Sequence, residues 1–291
     1  MKNILACIDG SIYGQTCSQY ALWFAQKLNT GVEALYVSEL WQYEAPLVAD
    51  FGGSLGAQPY MGLTAQLRQI ESAKAEALRA YLTGLFGAAN LADKLRFHHR
   101  TGVLSDCIGE FETTGDDGAP RAEMLILGKR GEAANMAKAH LGTNMERVVR
   151  GSALPCLVAN REFFEPRRLL FATDGSASAS RAIAWFVANR GAFAGAEVAV
   201  VSVAAQKPGA SEKADAALAD ARRVLDAAGV AAAYEVLSGI PADAISARQQ
   251  ESGANLLLMG AYGHSRIRRL LIGSTTVELL QRCRVPVVLF R

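Results

Sequence analysis

The sequence predicts an α/β protein of two tandem units, each a parallel sheet with helices on both faces. Three observations carry this reading. Five landmarks recur in the same order in both halves, short β-rich runs alternate with helix-periodic segments between them, and a length of 291 residues suits two domains better than one.

The first landmark is a strand ending in Asp-Gly-Ser, ILACIDGS at residues 4–11 and LLFATDGS at 169–176. Each leads into an apolar-periodic segment, residues 20–25 or 183–187, which makes strand, turn and helix. The second is a β-rich run closing on valine, ALYV at 34–37 against AVVSV at 199–203. The third, TGVLSDCI at 101–108 against SGIPADAI at 238–245, ends a strand on glycine and places Asp106 or Asp243 in the first turn of a helix. The fourth is MLILGKRG at 124–131 against LLLMGAYG at 256–263, and the fifth a Pro-led last strand, LPCLV at 154–158 against VPVVL at 285–289. The charged connector REFFEPRR at 161–168 divides the chain into units 1–161 and 168–291. The two last strands could pair with each other inside one chain, as a pseudo-dimer, or join two chains as a homodimer.

Composition excludes several classes. With 51% hydrophobic residues, 20% charged residues and a net charge of +2, the chain is expected to be globular, with no nucleic-acid partner implied. No apolar run approaches the roughly 18 residues of a membrane span, so no membrane partner is expected. The N-terminus reaches Asp9 after a short apolar run, unlike a secretion signal, and the expected location is the cytoplasm. Five scattered cysteines without a C-x-x-C pair argue for reduced thiols, with Cys7, Cys107 and Cys156 in the core.

The halves are unequal. The first carries an insertion at 39–61, rich in glycine and bearing Trp41, Tyr43, Phe51 and Tyr60, which reads as an interface loop, a ligand lid or a docking surface. It also carries TTGDDGAP at 113–120, a solvated loop. The helix-periodic stretch from about residue 63 to residue 85 reads as a sheet-covering helix.

Ligands of open parallel sheets bind beyond the carboxyl ends of the strands. At that edge the second half puts Asp174 and the stretch GAYGHSRIRRLLIGST, residues 260–275. Gly273 and Ser274 open a helix whose free N–H groups and positive dipole end favour an anion, and a glycine lets a phosphate approach closely. The spacing is neither the dinucleotide fingerprint nor a Walker loop. Each residue also has a structural reading: Thr275 with Glu278 and Thr143 with Glu146 form capping boxes, and Asp9 and Asp174 brace turns. Arg266, Arg268 and Arg269 reach phosphates or face water, and His264 has no second ligand nearby in sequence for a metal site. His98 and His99 point to opposite faces of a strand.

Taken together, the Asp-Gly-Ser strand end, the Gly-[Val/Ile]-x-x-Asp-x-Ile segment, the Gly-x2-Gly-x9-Gly-[Ser/Thr] loop and the Pro-bearing last strand resemble the universal stress protein family in tandem arrangement, over essentially the whole chain. The resemblance implies doubly wound, Rossmann-like domains with a five-stranded parallel sheet each. In one branch of the family it implies ATP at the glycine loop. Carried onto this sequence, Ala172, Thr173 and Asp174 lie by the adenosine, Val203 lies against the adenine, and Met259, Gly260 and Gly263 line the ribose and phosphate path. Gly273, Ser274, Thr275 and Thr276 hold phosphates through N–H and hydroxyl groups. The cofactor expected is ATP, or ADP or AMP, with or without magnesium.

In the first half the matching positions are Asp9, Val37, Gly128, Gly131, Gly142, Thr143 and Asn144, but ten residues separate Gly131 from Gly142 where the motif has nine. One extra residue displaces a loop by up to about 3.5 Å, more than a hydrogen bond of about 2.9 Å, so this half is expected to bind nucleotide poorly. Lys129 and Arg130 then fill the pocket or serve a different anion. The function expected is a stress-response protein that binds an adenine nucleotide in its second half as a sensor or regulator. The alternatives are an interaction scaffold that binds no nucleotide or an apolar ligand, and a slow ATP hydrolase or phosphoryl transferase. No catalytic or metal-binding residue is assigned, and a protein partner remains unnamed.

Overall fold

A computed structural model of the chain describes residues 3–39, 61–112, 121–131, 143–205, 208–261 and 273–291. The first half runs β1 (Asn3–Cys7), α1 (Ile12–Leu28), β2 (Gly31–Ser38), α2 (Met61–Ala88), β3 (Leu95–Thr101), α3 (Leu104–Glu112), β4 (Met124–Gly128), α4 (Thr143–Gly151) and β5 (Cys156–Ala159). The second runs β6 (Arg168–Ala172), α5 (Ala177–Ala188), β7 (Glu197–Ala204), α6 (Ala210–Ala227), β8 (Ala233–Ser238), α7 (Pro241–Ser252), β9 (Leu256–Gly260), α8 (Ser274–Arg282) and β10 (Val287–Phe290).

All ten strands form one sheet in the order β3-β2-β1-β4-β5-β10-β9-β6-β7-β8, so the order reads the same from either edge. Within each half every pairing is parallel, and the crossover helices cover both faces, which explains strands as continuously buried as LLLMG at 256–260. The halves meet at β5 and β10, which pair antiparallel with Val287 opposite Val158 and Leu289 opposite Cys156. The Pro-led last strands therefore pair within the chain, one of the two arrangements the sequence left open.

Side chains on the two faces build two cores, and each core spans both halves. One holds Ile4, Phe24, Phe171, Phe186 and Phe290, the other Leu5, Leu125, Val158, Leu257 and Leu289. Aromatic rings knit the first core across the seam: the rings of Trp23 and Phe193 lie 5.6 Å apart, and those of Phe24 and Trp185 6.3 Å apart. The connector at 161–168 is fastened down as well. Its Arg161 carbonyl accepts from Thr16 Oγ1 at 3.0 Å, and its Glu165 carbonyl from Asn255 Nδ2 at 2.7 Å.

The helix predicted at 63–85 extends over 61–88. His98 and His99 do face opposite sides of β3. His98 Nε2 meets the buried Glu33 carboxylate at 2.6 Å, while His99 stacks on Tyr36 and bonds Ser38 Oγ at 2.6 Å. All five cysteines are free thiols, and Cys107 and Cys156 are buried as expected, with Cys7 only partly so. Among the described residues no helix is long and apolar enough to cross a membrane. Most of the insertion at 39–61 and the loop at 113–120 lie outside the described residues.

Candidate functional site

In the second half the carboxyl ends of β6 and β9 lie side by side, with Ala172 opposite Met259. Beyond β6, Thr173 N–H donates to the Val201 carbonyl at 2.9 Å and so continues the ladder by one residue. The chain then turns: Thr173 Oγ1 accepts from Gly175 N at 3.2 Å, and the Asp174 carboxylate accepts from Ser176 N at 3.0 Å. Ser176 caps α5 by accepting from Ala179 N at 3.3 Å. Asp174 thus braces its turn and still lies exposed at the sheet edge.

Beyond β9, Ala261 fixes the second wall. Its N–H donates to the Phe290 carbonyl at 2.7 Å, and its own carbonyl accepts from Gly273 N at 3.2 Å and Thr276 Oγ1 at 3.3 Å. One backbone carbonyl therefore clamps the start of α8 onto the end of β9, across whatever path residues 262–272 take. Sequence reasoning missed Ala261, whose role is carried by its backbone and leaves no side-chain signature. Thr276 also departs from expectation. Its hydroxyl is buried and committed to Ala261, so only its backbone N–H remains to meet a ligand.

The capping box read at Thr275 and Glu278 does not form. Helix α8 begins at Ser274, its N-cap is Gly273, and no side chain caps it. Thr275 is already inside the first turn, and among the described residues the N–H groups of Ser274, Thr275 and Thr276 meet no acceptor, at the positive end of the dipole. Ser274 is exposed and Thr275 half-buried, whereas Met259 is buried and Ala172 and Val203 half-buried beneath them.

The two described loop glycines have different reasons to be glycine. At Gly260 an added Cβ would lie 3.1 Å from both Ser178 Cβ and Ala179 N, so the start of α5 packs directly on this residue. At Gly273 the backbone is ordinary, φ −59° and ψ 142°, and among the described residues a Cβ would meet only Ala261 O at 3.5 Å and Thr276 Oγ1 at 3.6 Å. Neither the dihedrals nor the described neighbours require glycine there. Gly263 lies outside the described residues, as do His264, Arg266, Arg268 and Arg269.

In the first half the same elements converge, yet their polar groups are occupied by the chain itself. Asp9 accepts from Ser11 N at 3.1 Å and from Ser11 Oγ at 2.5 Å, and a Cβ on Gly131 would sit 3.2 Å from Asp9 Oδ2. Gly128 packs against Tyr13, whose Cβ would lie 2.7 Å from an added Cβ. Asn144, in the first turn of α4, donates to the Glu39 carboxylate at 2.7 Å. That places an internal negative charge beside the helix start. Registers pairing Leu35 with Cys7 and Val201 with Ala172 make Ala205 the counterpart of Glu39, so the second half has no such charge. Val37 is half-buried; Gly142 and the Thr143 side chain lie outside the described residues.

Lys129 does neither of the things expected of it. Its ammonium donates to the carbonyls of Gln281 at 3.1 Å and Cys283 at 3.2 Å. Arg130 Nε is buried with no hydrogen-bond partner among the described residues. Below Asp9, burial and then the Asp9 charge push the Cys7 thiol up to about 12.

Comparison with known proteins agrees with this architecture. The pattern of the universal stress protein family matches twice, over residues 1–160 and 165–291. A universal stress protein of Synechocystis sp. is 38% identical over 297 residues, spanning all of both chains. Among solved structures, a universal stress protein from Archaeoglobus fulgidus shares the fold with a TM-score of 0.69 at 22% identity, covering 99% of this chain and 98% of that one. A protein of unknown function from Pseudomonas aeruginosa superposes with a TM-score of 0.62 at 16% identity, covering 99% and 92%. With two family matches that together span nearly every residue, the chain belongs to the universal stress protein family.

Proposed function

We propose that the second half binds an adenine nucleotide, ATP or its ADP or AMP relatives, and that occupancy acts as a regulatory signal rather than a step in catalysis. The phosphates lie on the backbone N–H groups of Ser274, Thr275 and Thr276, and the adenosine lies along Ala172, Thr173, Asp174, Val203 and Met259. Gly273 carries the reading: it is a glycine with side-chain room and ordinary dihedrals at an uncapped helix start. Asp174, one carboxylate at the mouth of the crevice, suits a ribose hydroxyl or a phosphate-bound magnesium ion. It is engaged in its own turn, a poor arrangement for a general base. The first half is the weaker binder, because Glu39 already supplies its helix start with a negative charge.

Calorimetric titration with ATP tests this on the wild type and on Gly273→Val, whose branched side chain projects into the seat. The expected result is one site of micromolar affinity, about −8 kcal/mol, lost in the variant. Absence of binding to the wild type, or an undiminished affinity in Gly273→Val, would remove the nucleotide from the second half.

A further inference from the structure

The last helix of each half is held at its carboxyl end by a cation from the other half. Lys129, just past β4, donates to the carbonyls of Gln281 and Cys283 at the end of α8, and Asn160 Nδ2 adds a third bond to Cys283 O at 3.0 Å. Reciprocally, Arg291, just past β10, donates from Nη1 to the carbonyl of Gly151 at the end of α4, at 3.2 Å. Such donors satisfy carbonyls that a helix leaves unbonded and match the negative end of its dipole. Burial draws the Lys129 pKa below the ordinary lysine value, and the two carbonyls stand in for the water that the ammonium has given up.

Helix α8 is therefore fixed at both ends by different halves. Its amino end hangs on the Ala261 carbonyl within the second half, and its carboxyl end on Lys129 of the first. With nine residues it spans only about 14 Å, short enough to move as a rigid rod. We propose that Lys129 is a positioning residue for the anion seat of the second half, acting through α8. This rests on the reading of Ser274, Thr275 and Thr276 as that seat. The counterpart of Lys129 in the second half is Ala261, whose methyl group has no donor to make the same tie, so the control runs one way from this turn.

Two measurements on four chains test it: wild type, Lys129→Ala, Lys129→Arg and Arg291→Ala. In the ligand-free proteins, hydrogen exchange of the α8 amides is expected to quicken about tenfold in Lys129→Ala. It should return toward wild type in Lys129→Arg, which keeps the donors, and stay unchanged in Arg291→Ala, which frees α4 instead. ATP titration is expected to show the same order, with Lys129→Ala about tenfold weaker and the other two within twofold of wild type. Undiminished ATP affinity in Lys129→Ala overturns the proposal. So does an equal loss in Arg291→Ala, since that would mean a general loosening of the seam. If the wild type binds no ATP, the nucleotide reading itself has failed; exchange then decides, and unaltered α8 protection in Lys129→Ala overturns the tie.

Discussion

Tyr20 and Phe164 are joined twice: the phenol of Tyr20 donates to the Phe164 carbonyl at 3.2 Å and accepts from the Phe164 N–H at 3.0 Å. Tyr20 is fully buried in α1, so this pair staples the connector between the halves to the first half's core. Replacing Tyr20 by Phe keeps the ring and strands both backbone groups. The expected loss is about 1–3 kcal/mol of unfolding free energy in a guanidinium titration. A change under about 0.5 kcal/mol would mean that water repairs both groups and that the staple contributes little.

Cys7 gives stability a dependence on alkaline pH. Its thiol rises from an ordinary value of 9.0 to about 12 in the folded chain, through burial first and the Asp9 charge second. The folded state therefore holds this proton more tightly than the unfolded state does. Its stabilisation is complete below pH 9 and is lost between there and about 12. Unfolding free energies measured from pH 8 to 11 should fall less steeply in Cys7→Ala than in the wild type, by up to about 1.4 kcal/mol per pH unit. Parallel slopes would show that Cys7 ionises normally.

Gly260 and Gly273 should respond in opposite ways to the same methyl group. Gly260→Ala presses a Cβ onto Ser178 and the Ala179 N–H, and should cost about 1–3 kcal/mol, part of it recovered when Ser178 is also made Ala. Gly273→Ala meets only van der Waals contacts, so its thermal midpoint should stay within a few degrees of wild type. Equal destabilisation by the two would mean that Gly273 is a packing glycine too, and would weaken its assignment to a ligand.

Removing Glu39 should make the first half more like the second. In Glu39→Ala the start of α4 loses its internal charge, and Asn144 loses the acceptor it donates to. ATP titration is expected to reveal a second, weaker binding event beside the one in the second half. An unchanged stoichiometry would place the obstacle elsewhere, with the longer stretch between Gly131 and Gly142 the first suspect.

The architecture was legible because its signals are local. Asp-Gly-Ser after an apolar run, a glycine before a helix bearing an early acid, and a Pro-led last strand each encode one strand end or helix start, and repetition supplied the order. The turn at Asp174 and the helix start at Gly273 were legible for the same reason. What stayed hidden depends on contacts distant in sequence. Glu39 meets Asn144 across 105 positions and Lys129 meets Gln281 across 152, and no periodicity records either pairing. A lysine flanked by glycines reads as an anion ligand until the end of α8 is seen beside it. The capping box at Thr275 failed for a subtler reason: the pattern was present, but the helix cap falls two residues earlier, at Gly273, and the register of a helix start is set by its backbone anchor at Ala261.

The antiparallel pairing of β5 with β10 inside one chain has a consequence for how the two halves can differ. Two separate copies meeting through such a seam would carry identical crevices, and any change to one would be a change to both. Joined by the connector at 161–168, unlike halves are always delivered together and in equal number, with no need to recognise the correct mate among wrong ones. One half can then set Glu39 beside its own helix start and spend Lys129 on its neighbour's helix, while the other has alanine, Ala205 and Ala261, at both matching positions.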